Sequence, residues 1–275
     1  CDVDADLCFI DPKDAEKKIT DKTKAIMPIH YAGSAGDLNE IYRVAKKNNL
    51  RVIEDAAPAF GSSYENQKVG SFGDIACFSF DGIKNITCGE GGCVVTDDNE
   101  VIDKIADYRL LGVINDSDKR YSNQRSWDFE VKEQGWRYHM SNMTAALGIE
   151  QLKRLEEFSK KRREIGLIYN KNFEYQPQIK PLKIDYSQVV PHIYVVKIED
   201  LKNRDKLRQS LLDQGIEVGF HWKPCHHTSL FKDSAREPLE NTEKLAKELL
   251  TLPMHTDLTL KDVDYVCEQL IKVIS

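Results

Sequence analysis

The chain has 275 residues, 41% of them hydrophobic and 31% charged, the balance of an ordinary globular protein with one large domain or two smaller ones. Its 39 basic and 45 acidic side chains leave a net charge of −6 without a basic stripe, which argues against a nucleic-acid partner. No apolar run approaches the roughly 18 residues of a membrane span and no charged-then-apolar leader opens the chain, so no membrane association and a cytoplasmic location are expected.

The first half alternates apolar runs with helical stretches. Residues 25–30 read as a strand, 37–48 as a helix and 51–55 as a strand, an alternation that marks βαβ units and a mostly parallel sheet. Asp37 is placed to cap the helix, and Leu38, Ile41, Tyr42 and Ala45 fall on one of its faces. Two further runs, 75–80 and 92–96, are rich in aromatic and β-branched residues and bracket a loop. From Ser141 to about Phe173 one long helix is predicted, with Ser141 as its cap and Ala145, Leu152, Leu155 and Phe158 along one side; the charged stretch 153–163 reads as its solvated face. Pro181 and Pro191 mark loops, 192–198 a strand, and 205–214 a helix ended by Gly215. A terminal helix over 261–273 is predicted to bury Val263, Val266, Leu270 and Val273. The fold class is α/β, with residues 1–160 in a large domain and 161–275 in a small C-terminal α/β domain.

Seven cysteines (Cys1, Cys8, Cys77, Cys88, Cys93, Cys225 and Cys267) form no CxxC pair, and an odd, unpatterned set points to reduced thiols. Cys88 has no obvious base nearby in sequence and reads as structural.

The loop between the two aromatic-rich runs carries the chemistry. Lys84 lies among small residues, after an apolar strand and before the glycine turn Gly89-Glu90-Gly91-Gly92, a place where an amine can be held and desolvated as a nucleophile. Alone, such a lysine reads as an ordinary surface residue. Upstream, however, the strand ending in Glu54-Asp55 delivers a carboxylate at its C-terminal end, where α/β folds bind ligands. A lysine for an imine and an acid for a pyridinium nitrogen suit pyridoxal 5′-phosphate (PLP).

Glu54-Asp55-Ala56-Ala57 together with Phe78-Ser79-Phe80, Lys84-Asn85 and Gly89-Glu90-Gly91-Gly92 resembles the DegT/DnrJ/EryC1/StrS family of sugar aminotransferases. Pro28-Ile29-His30-Tyr31-Ala32-Gly33, Met140-Ser141 and Leu252-Pro253-Met254-His255 extend the likeness, in order, over nearly the whole chain. The resemblance implies a fold-type I PLP-dependent transferase, here N-terminally incomplete because the chain opens at Cys1 with what looks like the middle of the family pattern. It implies Lys84 as the catalytic, imine-forming residue, Asp55 as partner of the ring nitrogen and Ser79 as a phosphate ligand. Arg137 stands where the family pattern has an asparagine that reaches the partner subunit's phosphate, and Pro58 stands where many members have glutamine or histidine. His226 and His192 match histidines lining the sugar site. A nucleotide-linked keto sugar, glutamate as amino donor and a homodimer follow from the same resemblance. A dehydratase branch of the family carries histidine in place of the lysine, and Lys84 argues against it; the remaining alternative is a cofactor-poor fragment serving as an interaction partner.

The run Phe220-His221-Trp222-Lys223-Pro224-Cys225-His226-His227 gathers three histidines and a cysteine. Adjacent residues of an extended chain point opposite ways, so no metal site is expected there.

Overall fold

The computed structural model describes residues 1–114, 122, 124, 129–234 and 237–274. Its first half is built on a sheet of four strands, β1 (Ala25–Ile26), β2 (Arg51–Asp55), β5 (Ile75–Ser79) and β6 (Gly92–Thr96), hydrogen-bonded in that order. The first three are parallel and β6 runs antiparallel to β5, with Ser79 opposite Gly92. Between β2 and β5 lies a two-stranded hairpin, β3 (Ser63–Tyr64) with β4 (Gln67–Lys68). Helix α1 (Pro12–Lys18) precedes β1; α2 (Leu38–Lys47) joins β1 to β2, and α3 (Asn99–Tyr108) follows β6. The Asp37 carboxylate caps α2 by accepting the Glu40 amide, and Leu38, Ile41, Val44 and Ala45 pack inward.

The second half places α4 (Asn142–Lys153) and α5 (Leu155–Phe173) before an antiparallel sheet ordered β7 (Ile179–Pro181), β8 (Tyr194–Ile198) and β9 (Leu249–Leu252). Helices α6 (Arg204–Leu212), α7 (Glu240–Glu248) and α8 (Leu260–Ile274) complete it. Its core joins Ile165, Tyr169 and Phe173 of α5 to Tyr194 and Val196 of β8, Leu211 of α6, and Val263, Val266 and Leu270 of α8. Each fully buried aliphatic or aromatic side chain here contributes about 1.5–3 kcal/mol relative to exposure. A separate cluster stitches the halves together, with Tyr31 and Ala32 against Ile193, Val195, Leu245 and Leu249.

Several expected elements differ in extent. The single helix expected over 141–173 is two, broken at Arg154, and α4 buries no residue, so Leu152 is exposed. The strand expected over 25–30 ends at Ile26, because Pro28 cannot donate to a ladder, and resumes only as an isolated bridge from Ile29 to Asp55. The strand expected from residue 192 starts at Tyr194. Val273 is exposed, and the end of α8 meets the core through Ile271 and Ile274 instead. The expected domain boundary at 160/161 falls inside α5.

Candidate active site

The lysine loop is the connection of the β5–β6 hairpin, and backbone bonds close it. The Phe80 amide donates to the Gly91 carbonyl at 2.8 Å and the Cys88 amide to the Phe80 carbonyl at 2.9 Å. Inside it, the Lys84 amide closes a turn on the Asp81 carbonyl at 3.1 Å. Ser79 Oγ accepts the Asp81 amide at 3.3 Å, which leaves the hydroxyl proton free for another acceptor. Buried Asn85 fixes the loop to the rest of the molecule by donating through Nδ2 to the Phe60 carbonyl at 3.0 Å and the Val190 carbonyl at 3.4 Å. Cys88 is buried, its thiol pushed up by desolvation, and its Sγ donates to the Glu90 carbonyl; it fills space.

The Val190 carbonyl is also where Gly33 makes its closest approach. Gly33 has φ +93°, and a Cβ there would lie 2.4 Å from that oxygen, so only glycine fits. Beside it, buried Arg162 donates through Nη1 to the carbonyls of Pro191 (3.3 Å), His192 (3.2 Å) and Met254 (3.3 Å). Burial draws its guanidinium down to about 10, still charged at neutral pH. The segment that Asn85 and Arg162 clamp presents His192, which is 3% exposed and has no hydrogen-bond partner on either ring nitrogen. Burial above all, then the charge of Lys84, pushes this imidazole down to about 3, so it is neutral at physiological pH. His221 is lowered by the same two causes, with its Nδ1 2.8 Å from Thr251 Oγ1. Its position is fixed by Tyr31, whose hydroxyl donates to the His221 carbonyl. The charge of Lys84, from the first half, is thus felt by two imidazoles of the second.

Asp55 ends β2 opposite Cys77. Its backbone is held on both sides, the amide donating to the Pro28 carbonyl at 2.9 Å and the carbonyl accepting the His30 amide at 3.0 Å. Oδ1 accepts the Ala57 amide at 3.2 Å, leaving the second carboxylate oxygen for another donor. Immediately behind it lies a network that sequence reasoning missed. Fully buried Glu54 takes the Tyr42 hydroxyl on Oε1 at 2.7 Å and contacts His30 Nε2 through Oε2 at 2.7 Å. The alternation of β2 sends Glu54 to the core as it sends Asp55 to the site, and that period was the available signal.

The other expected residues lie apart. Arg137 bridges to Leu110 and lines a cavity of about 920 Å³ with Cys77, Gly91, Trp136 and Met140, a wall that Lys84, Asp55 and Ser79 do not share. His226 borders a cavity of about 710 Å³ with His221, Trp222, Tyr31 and Lys223, and its Nε2 is 2.7 Å from Glu243 Oε1. Arg162 was read as part of a solvated helix face; its spacing from Ile165, Gly166 and Tyr169 on the buried side of α5 was the signal that placed it inside.

Residues 1–271 match the profile of the DegT/DnrJ/EryC1/StrS aminotransferase family. The chain belongs to this family. It is 36% identical to the UDP-4-amino-4,6-dideoxy-N-acetyl-β-L-altrosamine transaminase of Campylobacter jejuni, over 96% of this chain and 70% of that protein. Among solved structures it superposes on Helicobacter pylori PseC, an aminotransferase of pseudoaminic acid biosynthesis, with a TM-score of 0.90 and 29% identity over 100% of this chain and 72% of that one. A Streptococcus pneumoniae protein assigned as a sugar aminotransferase, solved in its PLP form, gives 0.89 and 27% over 99% of this chain and 74% of that one. The family's aminotransferases are PLP-dependent enzymes acting on sugars.

The residues present suit that cofactor. A primary amine, a strand-end carboxylate with a free oxygen, a hydroxyl with a free proton and a buried imidazole with two unpartnered nitrogens are polar groups arranged for a ligand that the protein itself does not satisfy. Among the described residues, no helix is long and apolar enough to cross a membrane.

Proposed function

We propose that this chain moves an amino group from glutamate to a keto sugar carried on a nucleotide. The observation that carries the reading is the buried imidazole of His192, which has no partner on either ring nitrogen and lies within electrostatic reach of Lys84. The name of the Campylobacter jejuni relative, a transaminase of a UDP-linked sugar, supports the substrate class.

Bound PLP would supply an electron sink that makes the carbon-bound proton of the amino donor removable and allows the carbonyl carbon of the sugar to receive one. Lys84 carries that proton: anchored by Asn85 on one side of its turn, the amine takes it from one carbon and returns it to the next. Asp55 holds a proton on the pyridine nitrogen through its free carboxylate oxygen. Ser79 donates its hydroxyl proton to the phosphate, and Arg137, with a planar fork of donors, binds a phosphate across the subunit boundary. His192 and His226 contact the sugar, His192 as a neutral group that can donate or accept.

The assembly in this reading is a two-fold homodimer. Its contact surface is the face formed by α4 and the 135–141 segment, where Met143 is 83% and Tyr138 76% exposed and Trp136, Leu147 and Ile149 are also uncovered. Pairing through it would bury about 2,000 Å² or more, the scale of obligate homodimers.

The test is to incubate PLP-loaded protein with glutamate and a UDP-linked 4-keto-6-deoxy sugar. The reading requires 2-oxoglutarate and amino sugar in equal amounts. Amino transfer to free 2-oxo acids but to no nucleotide-linked sugar would overturn the substrate class.

A further inference from the structure

Residues Cys225–His227 do not run extended. They form a 3₁₀ turn after Pro224, in which successive side chains are rotated by about 120° instead of pointing to opposite sides. Both histidines therefore reach α7. His226 Nε2 lies 2.7 Å and His227 Nε2 2.8 Å from the same oxygen, Oε1 of Glu243, with the two ring centroids 4.5 Å apart. The two imidazoles converge on one atom although a carboxylate offers two, and all three ligating atoms lie within 4.8 Å of one another.

We propose that His226, His227 and Glu243 bind a divalent transition-metal ion of the zinc class. Two imidazole nitrogens and one carboxylate oxygen are a borderline donor set that suits Zn²⁺, Co²⁺ or Ni²⁺ over Ca²⁺ and Mg²⁺. Metal–ligand distances of about 2.0–2.2 Å in tetrahedral geometry put ligand atoms about 3.3–3.6 Å apart, so the two contacts to Glu243 need to open by about 0.5–0.9 Å. Three protein ligands leave a position for water or a bound molecule. The ion would clamp the 225–227 turn to α7 and fix the ring of His226, which also borders the cavity with His221 and Trp222. The proposal does not rest on the sugar substrate, because its readout is metal binding alone.

The experiment titrates tag-free, metal-stripped protein with Co²⁺ and follows its visible ligand-field bands, then displaces it with Zn²⁺. The expected result is one equivalent bound, with affinity at least about tenfold lower in His227→Gln and in Glu243→Gln, each checked for native fold by circular dichroism. His227 is exposed, so that variant decides the matter if Glu243→Gln fails to fold. No saturable ligand-field bands, or His227→Gln binding Co²⁺ as the parent does, would overturn the site. So would an intense thiolate-to-cobalt band that disappears in Cys225→Ser, because it would put the ion on another ligand set.

Discussion

The surroundings of Lys84 and those of Arg137 are built on different terms. Around Lys84 the supports are hydrogen bonds from the buried side chains Asn85 to Phe60 and Val190, Arg162 to three carbonyls, and Tyr31 to His221. Around Arg137 the neighbours Trp136 and Tyr138 are exposed and the adjoining α4 buries nothing. An amphipathic helix gains its stability chiefly from packing its apolar face, and the apolar side chains of α4 face outward. The lysine loop is thus held by bonds within the fold, whereas the Arg137 segment adjoins apolar side chains that the fold leaves uncovered.

Substitutions on the two sides should therefore fail in different ways. The largest effect is expected from Lys84→Ala, which removes the proton carrier: transamination should fall by about three orders of magnitude or more and the visible absorbance of bound PLP should vanish, with the far-ultraviolet dichroism unchanged. Retained turnover with a visible band in that variant would sink the assignment. Asp55→Asn should slow turnover on the order of a hundredfold and weaken PLP retention, since an amide cannot keep the ring nitrogen protonated; a rate equal to the parent's would leave Asp55 as a strand-end cap only.

Stability measurements probe the self-contained side further. His192 binds protons with an ordinary value of 6.5 when unfolded and about 3 when folded, so between those values the unfolded chain holds the extra proton. Stability must then fall as pH drops through this window, by about 2–3 kcal/mol between pH 7 and 4.5 from this residue. Denaturant melts of the parent and His192→Asn at both pH values measure it, and equal pH slopes would contradict the buried neutral imidazole. Asn85→Ala should cost about 1–3 kcal/mol by freeing two carbonyls that lie at the junction of the halves, readable as a lower melting midpoint. The smallest effect on folding belongs to the other side. Leu147→Asp should change the stability of the single chain by no more than about 0.5 kcal/mol yet shift the sedimentation profile from dimer to monomer. An unchanged profile would remove α4 from the interface.

Local patterns made the first half of the fold readable. Strands β2 and β6 occupy the predicted 51–55 and 92–96, and Asp37 caps α2, because alternation and capping are local signals. Lys84, Asp55 and Ser79 were legible as a motif in a known order. What escaped was set by contacts between distant residues: Arg162 looks like one more surface cation until Pro191, His192 and Met254 surround it. Glu243 lies 16 and 17 residues from the two histidines it meets, and nothing local to 226–227 announces it. The break at Arg154 was hidden because Leu152 and Leu155 keep a helical period across it.

The hairpin that carries the lysine has a consequence for how this chain can tolerate insertion and deletion. Ser79 pairs with Gly92 and Phe78 with Cys93, so both ends of the loop are set by one ladder. Side chains alternate along a strand, and because β5 is also held in register by β2, sliding the pairing by one residue would fall on β6 and swap the faces its side chains occupy. The Asn85 anchor allows no slack within the loop either. Length between residues 79 and 92 is thus as constrained as identity: a one-residue indel there should abolish function even with Lys84, Ser79 and Asn85 all retained, whereas the exposed 65–66 turn of the β3–β4 hairpin should accept one.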